Sequence, residues 1–492
     1  MHKYILAIDQ STQGTKALIY DENGRLRCRK DKSHRQLIDE NGYIEHDMSE
    51  IIDNVKTVVW EAVRESGIDK NQIVAAGISN QRETLAAWDK ITGEPLYHAI
   101  VWQCARGRAI CEKLKKAGFE DKIKEVTGLA LSPYFSAAKA SWLMEHAENI
   151  RKKSEKDELC FGTMDSWVIY KMTEKVFKTD YSNASRTQLF DIQKLCWSKE
   201  MCKIFHIKEN ALPQVCDSDA FFGDTDLFGL LEKKIPIHSV LGDSHGALFG
   251  QGCLISGMVK ATYGTGSSIM MNIGEKPVIS KDGLVTSIGF KIDGQLSYVL
   301  EGNINYTGAV ISWMKDDLGL IENPNDTEVF IQKANPQDTT YLVPAFSGLG
   351  APYWDDFANA AFVGMTRTTK KAELIKAGVE SIAYQINDIV EAMKKNVSLD
   401  IITLRVDGGP TKNNYLMQFQ SDLIQGIVSV SKIEELSATG VAYAAGIAIG
   451  LYKREDIFQN IKRIEYKHNM SEQVHRQKMD GWHHAIEQVL QK

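Results

Sequence analysis

The run Tyr4-Ile-Leu-Ala-Ile-Asp9-Gln-Ser-Thr12-Gln-Gly14-Thr15-Lys16, followed by a second apolar run from Ala17 to Tyr20, constrains this chain more than any other feature. An apolar strand ends on a lone acid, turns through small hydroxyl and glycine residues, and returns as a strand. Such a turn gathers backbone N–H groups, hydroxyls and a lysine around one point, which suits a phosphate. The acid beside it, Asp9, suits a hard cation such as Mg²⁺, which prefers oxygen ligands and travels with nucleotide phosphates. Taken alone, the same string also reads as an ordinary β-hairpin.

The plan returns later in the chain. Val240-Leu-Gly242-Asp243 is an apolar run ending on an acid, and Met258 to Tyr263 leads through Gly264-Thr265-Gly266-Ser267-Ser268 into Ile269 to Ile273. A third turn, Gly408-Gly409-Pro410-Thr411-Lys412-Asn413-Asn414, follows the strand-like Thr403 to Asp407 and precedes a helix from Tyr415. Glycines with a helix N-terminus again favour an anion or the sugar of a nucleotide. Three such turns, spread over both halves, predict two domains of similar architecture with a ligand cleft between them.

Elsewhere strand-like and helix-like stretches alternate, which argues an α/β architecture. Asp47 to Glu65 has helical spacing, Gln72 to Ser79 reads as a buried strand, and Gly118 to Thr127 and Ser136 to Ile150 again read as helices. Asp21-Glu22-Asn23-Gly24 carries the Asn-Gly dipeptide of a hairpin turn. At 492 residues the chain is too long for one core. Its net charge of −6 gives no reason to expect nucleic acid or an anionic membrane as partner. No apolar run reaches spanning length, no signal peptide is expected, and eight scattered cysteines without a Cys-x-x-Cys pair read as reduced thiols. A cytoplasmic location is the expectation.

The order Asp-x-Ser-Thr-x-Gly-Thr, Gly-Asp, Gly-Thr-Gly and Asp-Gly-Gly resembles the ATPase core shared by sugar kinases, heat-shock chaperones and actin. Tyr134-Phe-Ser136-Ala-Ala-Lys139-Ala-Ser-Trp142, and Gly364-Met-Thr-Arg367 through Tyr384-Gln385, resemble the two signatures of the FGGY carbohydrate kinases. Within them the chain is most similar to the members that act on glycerol, through Ser79-Asn80-Gln81-Arg82-Glu83-Thr84, Trp102-Gln103-Cys104, Asp180-Tyr-Ser-Asn183-Ala-Ser-Arg186 and Pro344 through Asp355. The resemblance covers essentially the whole chain. It implies two actin-like (ribonuclease H-like) α/β domains, residues 1–247 carrying the acceptor and the catalytic acid and residues 248–492 the nucleotide. It also implies a homodimer or homotetramer.

By that resemblance Asp243 is the base that takes the acceptor's proton, and Asp9 and Asp243 face Mg²⁺. Thr12, Gln13, Gly14, Thr15 and Lys16 hold the β- and γ-phosphates of ATP. Gly264, Thr265 and Gly266 lie at the α- and β-phosphates, and Gly308, Ser312, Gly408, Gly409 and Asn413 on the adenosine side. Arg82, Glu83, Trp102, Tyr134, Asp243 and Ser244 form the acceptor site. A small polyol offers only hydroxyls and a thin carbon backbone, so charged partners on one side and an aromatic wall on another are what it needs. Two bland roles compete: Asp243 as the cap of the following helix, and Gly308 as a close-packing glycine.

The departures from the family fall mainly at the acceptor pocket. Ser244 stands where glycerol-specific members have Gln, and Ser268 where they have a Phe against the substrate's carbons. Loss of an aromatic wall leaves space for a further CH–OH unit, so a tetritol, pentitol or pentulose is the alternative acceptor. Lys16 replaces an Arg, keeping the charge without the fork. A non-catalytic chaperone-like or actin-like ATP-binding protein is the alternative from another class. The complete acceptor set and the presence of both Asp9 and Asp243 weigh against it.

Overall fold

Strand Tyr4–Gln10 is buried along nearly its whole length because it runs in the middle of a sheet, parallel to Ile73–Asn80 on one side and antiparallel to Gly14–Tyr20 on the other. The structure, a computed structural model, describes residues 2–355, 357–398, 401 and 403–490. This first sheet has six strands, in the order Phe221–Thr225, Ile235–Gly242, Ile73–Asn80, Tyr4–Gln10, Gly14–Tyr20 and Leu26–Ser33. A seven-stranded sheet follows in the second half: Val285–Ile292, Gln295–Ile304, Ser267–Gly274, Met258–Tyr263, Thr403–Gly408, Ile427–Ser431 and Arg463–Lys467.

Each sheet has parallel strands at its centre and an antiparallel hairpin beside them. The fold is therefore two-domain α/β with mixed sheets, the architecture the repeated turns predict. All three turns lie at the ends of central strands, where open α/β sheets bind ligands.

Local chemistry sets the flanking elements. Asp47 caps helix Met48–Ser66 by accepting from the N–H groups of Ser49 and Glu50, and Gly67, at φ 68°, ends it. Met48, Ile51, Val55, Val58, Val59 and Ala62 repeat at helical spacing and face the sheet. The expected single helix from Ser136 to Ile150 is instead two, Ser136–His146 and Glu148–Glu155. The chain becomes extended at Ala147, and the break lets Ile150 join Leu143 and Ala147 in one apolar cluster.

The halves interlock through a helix crossing. Helix Asp243–Gly250 crosses Leu436–Ala448 so closely that a Cβ on Gly440 would lie 1.9 Å from the Gly246 carbonyl oxygen. Leu436–Ala448 also lies against the first sheet, where a Cβ on Gly77 would lie 2.7 Å from the Val441 carbonyl oxygen. Among the described residues no helix is long and apolar enough to cross a membrane, and all eight cysteines are free.

Candidate active site

Gly242 ends a central strand of the first sheet, so Asp243 opens its helix at the strand end, beside Arg82 and the turn after Gln10. Its side chain is about 34% exposed, and its Oδ1 accepts from the Ser244 N–H and lies 3.2 Å from Arg82 Nε. Gly242 is the helix cap, with no side-chain capping bond, so the capping role for Asp243 is not the one observed.

Arg82 and Glu83 follow strand Ile73–Asn80 and are both buried. Arg82 donates through Nη1 and Nη2, each at 2.9 Å, to the two oxygens of Glu301 in the second half. Glu83 has a left-handed backbone at φ 59°, and its Oε1 accepts from Arg186 Nε at 2.5 Å. Trp102 and Tyr134 meet with ring centroids 5.3 Å apart, so the two rings expected to form an aromatic wall are in contact. Lys139 supports Tyr134 from behind, donating to the carbonyls of Pro133, Tyr134 and Phe135 at 2.6, 2.5 and 3.2 Å. Burial pulls the Lys139 pKa down to about 7, yet only the ammonium form has three N–H groups for three carbonyls.

The turn between the first two strands closes through the Ser11 N–H and hydroxyl, both donating to the Gly14 carbonyl. Gly14 is required there, since a Cβ would lie 2.7 Å from the Lys32 carbonyl oxygen. Thr12 accepts from Trp102 Nε1, and the Gln13 side chain is exposed. Lys16 pairs with Glu435 at 2.7 Å and lies 3.9 Å from Asp9. The Asp9 carboxyl is buried, and its Oδ1 has no hydrogen-bond partner. Burial pushes its pKa up to about 6 against the pull of Lys16 and of the neighbouring Ser79 hydroxyl, with the Asp243 and Glu435 charges adding to the rise. A cavity of about 330 Å³ at this point is lined by Ser11, Thr12, Gln13, Trp102 and Asp243, together with Gln36 and Gln103.

In the second half, the Gly264–Gly266 turn docks onto the start of helix Gly308–Asp316. The Gly308 N–H donates to the Gly264 carbonyl and the Ala309 N–H to the Thr265 carbonyl. A Cβ on Gly308 would lie 2.7 Å from the Gly264 carbonyl oxygen, so the close-packing role is present at Gly308. Gly308 also lines a second cavity of about 320 Å³ with Ser312, Gly409 and Asn413. Gly408 turns at φ 102°, where a Cβ would lie 2.0 Å from the Tyr263 carbonyl oxygen. Asn413 caps helix Asn414–Ile424 by accepting from the Leu416 N–H, and it donates to Thr327.

Residues 4–250 match the N-terminal domain of the FGGY family of carbohydrate kinases, and residues 259–449 match its C-terminal domain. The chain belongs to the FGGY carbohydrate kinases. It is 47% identical over 490 residues to glycerol kinase 1 of Thermotoga maritima, covering 99% of both chains. It is 44% identical to the glycerol kinase of Caldanaerobacter subterraneus, covering 100% of this chain and 99% of the relative. The crystal structure of Plasmodium falciparum glycerol kinase with ADP covers 100% of this chain and 99% of its own, with a TM-score of 0.95 and 34% identity. Gluconate kinase from Lactobacillus acidophilus, at 22% identity and a TM-score of 0.89, shares the fold.

Within this FGGY frame the expected residues fall into two groups. Thr12, Gln13, Trp102 and Asp243 line the first cavity, with Arg82, Glu83 and Tyr134 adjoining and Asp9 buried within reach of the Asp243 charge. Gly308, Ser312, Gly409 and Asn413 gather around the second. Ser268 borders the first group, with its hydroxyl 3.5 Å from Glu301. Glu301, Arg186 and Lys139 also contact this group, although none is among the residues expected from the sequence. Arg186 and Lys139 lie in strings that carry the family resemblance, whereas Glu301 sits in an apolar strand, where a lone acid is itself a signal.

Proposed function

We propose that this FGGY kinase transfers the γ-phosphoryl group of ATP to a terminal hydroxyl of glycerol, giving sn-glycerol 3-phosphate. The observation that carries the reading is the convergence of Arg82, Glu83, Trp102 and Asp243 at the strand ends of the first sheet. Glycerol kinases that match this chain end to end support it.

Residues 1–247 are assigned to acceptor and γ-phosphate binding, and residues 248–492 to the nucleotide. Glu301 takes one N–H from each terminal nitrogen of Arg82, leaving the other N–H on each for the acceptor's hydroxyls. Glu83 keeps its second oxygen to accept a hydroxyl, while Trp102 and Tyr134 cover the carbons. Asp243 takes the proton from the reacting hydroxyl as its oxygen attacks phosphorus in line, and ADP leaves. The turn Thr12–Lys16 holds the β- and γ-phosphates, Gly264–Gly266 holds the α- and β-phosphates, and the cavity at Ser312, Gly409 and Asn413 takes the adenosine.

The partnerless Asp9 oxygen, near enough to Asp243 to feel its charge, fits a Mg²⁺ ion. Among the described residues no cluster of three or more His, Cys, Asp or Glu could hold a metal by itself. The fit is therefore to an ion that keeps its waters and shares phosphate oxygens, held by Asp9 and Asp243. When bound, it neutralises phosphate charge.

ADP release by the purified protein, with Mg²⁺-ATP and glycerol, erythritol, xylitol, dihydroxyacetone or xylulose in turn, tests the reading. Strong preference for glycerol supports it. A weak glycerol signal beside a strong four- or five-carbon one overturns it and assigns Ser244 and Ser268 to a longer acceptor.

A further inference from the structure

Glu301 belongs to strand Gln295–Ile304 of the second half, yet both of its oxygens serve residues of the first. It is buried, and burial alone would raise its pKa. Arg186 and Arg82 overcome that and hold the carboxyl well below the usual carboxylate range. Oε1 and Oε2 each accept from the Arg82 fork at 2.9 Å, and Oε2 also forms an ion pair at 2.8 Å with Arg186 Nη1, charge to charge and without hydrogen-bond alignment. Arg186 in turn reaches Glu83 Oε1 through Nε.

A planar guanidinium bound at both terminal nitrogens cannot rotate, so its two remaining N–H groups have fixed directions. Glu83 is held by a second arm of the same chain, with its carbonyl additionally accepting from the Ser136 hydroxyl. The acceptor-facing atoms of Arg82 and Glu83 thus share one anchor, and that anchor comes from the other half of the molecule.

We infer that Glu301 is a positioning residue for the acceptor: it orients Arg82 directly and Glu83 through Arg186, and so makes acceptor affinity depend on the second half. The inference rests on the acceptor site proposed above. Glu301 itself touches neither hydroxyl nor phosphate in this scheme.

The test uses full-length protein carrying Glu301→Gln, Glu301→Asp or Arg186→Lys. Each variant is checked by thermal unfolding, and glycerol affinity is measured by calorimetry without nucleotide and by steady-state KM. Glu301→Gln is expected to raise the glycerol Kd and KM by about tenfold or more while moving the ATP KM by less than about twofold. Glu301→Asp, which keeps the charge but not the reach, falls between. Arg186→Lys keeps the charge and cuts the arm to Glu83, so it also raises the glycerol Kd selectively. It decides the matter if Glu301→Gln fails to fold. A folded variant with glycerol Kd within about twofold of the parent overturns the inference. An unmodified protein with no glycerol-dependent ADP release instead defeats the glycerol reading, and the same variants are then titrated with whichever polyol does release ADP.

Discussion

Trp102 Nε1 donates a 2.9 Å hydrogen bond to Thr12 Oγ1, joining the Trp102–Tyr134 ring pair to the turn after the first strand. On the proposed reading one side chain serves two sites, its ring covering acceptor carbons while its N–H fixes the turn. Trp102→Phe keeps a ring and removes the bond. It is expected to raise the KM for both ATP and glycerol by about two- to fivefold, since one hydrogen bond contributes about 1 kcal/mol. Steady-state kinetics with each substrate varied in turn checks this; a change confined to glycerol would show that the bond does not organise the turn.

In the proposed reaction Asp243 takes the acceptor's proton. Asp243→Asn preserves shape and removes basicity, so kcat is expected to fall by about 10²- to 10⁴-fold. Nucleotide affinity, followed by ADP titration, should change by less than about threefold. Retained turnover would remove Asp243 as the base.

Lys139 holds the carbonyls on either side of Tyr134. Lys139→Met leaves three carbonyls without their donor and frees the Tyr134 ring. Expected are a loss of about 2–3 kcal/mol in denaturant unfolding and a rise in glycerol KM with ATP KM unchanged.

Asp165 supplies a pH dependence away from the site. It is buried, accepts from the Thr163 and Thr179 hydroxyls, and has its pKa pushed from 3.8 to about 7 by burial, those hydroxyls pulling the other way and the Asp180 charge adding to the rise. The native state keeps this proton between pH 3.8 and about 7, while the unfolded chain releases it. The group's contribution is full below the lower value and lost as pH rises through the upper one, by about 2–4 kcal/mol. Asp165→Asn does not titrate. Its unfolding free energy measured from pH 5 to 8 is expected to lose that downward slope.

At the crossing of Asp243–Gly250 with Leu436–Ala448, Gly440→Ala introduces a methyl 1.9 Å from the Gly246 carbonyl oxygen. The helices must separate, at about 2 kcal/mol or more. Because Asp243 begins one of them, kcat should fall together with the unfolding temperature. Normal kcat in a destabilised variant would uncouple the crossing from the site.

The strands ending on acids and the three glycine turns were legible within a few residues of chain, because each depends on local backbone freedom and side-chain chemistry. Gly14 and Gly408 sit in turns as their local patterns imply, whereas Asp47, read as the first helical residue, proves to be the cap. The family was legible in strings such as Gln81-Arg82-Glu83-Thr84 and Gly264-Thr265-Gly266, whereas the two separate cavities, lined by neither string, were not. Which charges meet depends instead on how the two sheets dock. Lys16 reads as free for phosphate but pairs with Glu435, 419 positions away, and Arg82 is gripped by Glu301, 219 positions away. No local propensity encodes such pairs: they exist because two separately formed sheets dock, remove those groups from water, and leave each buried charge needing an opposite one.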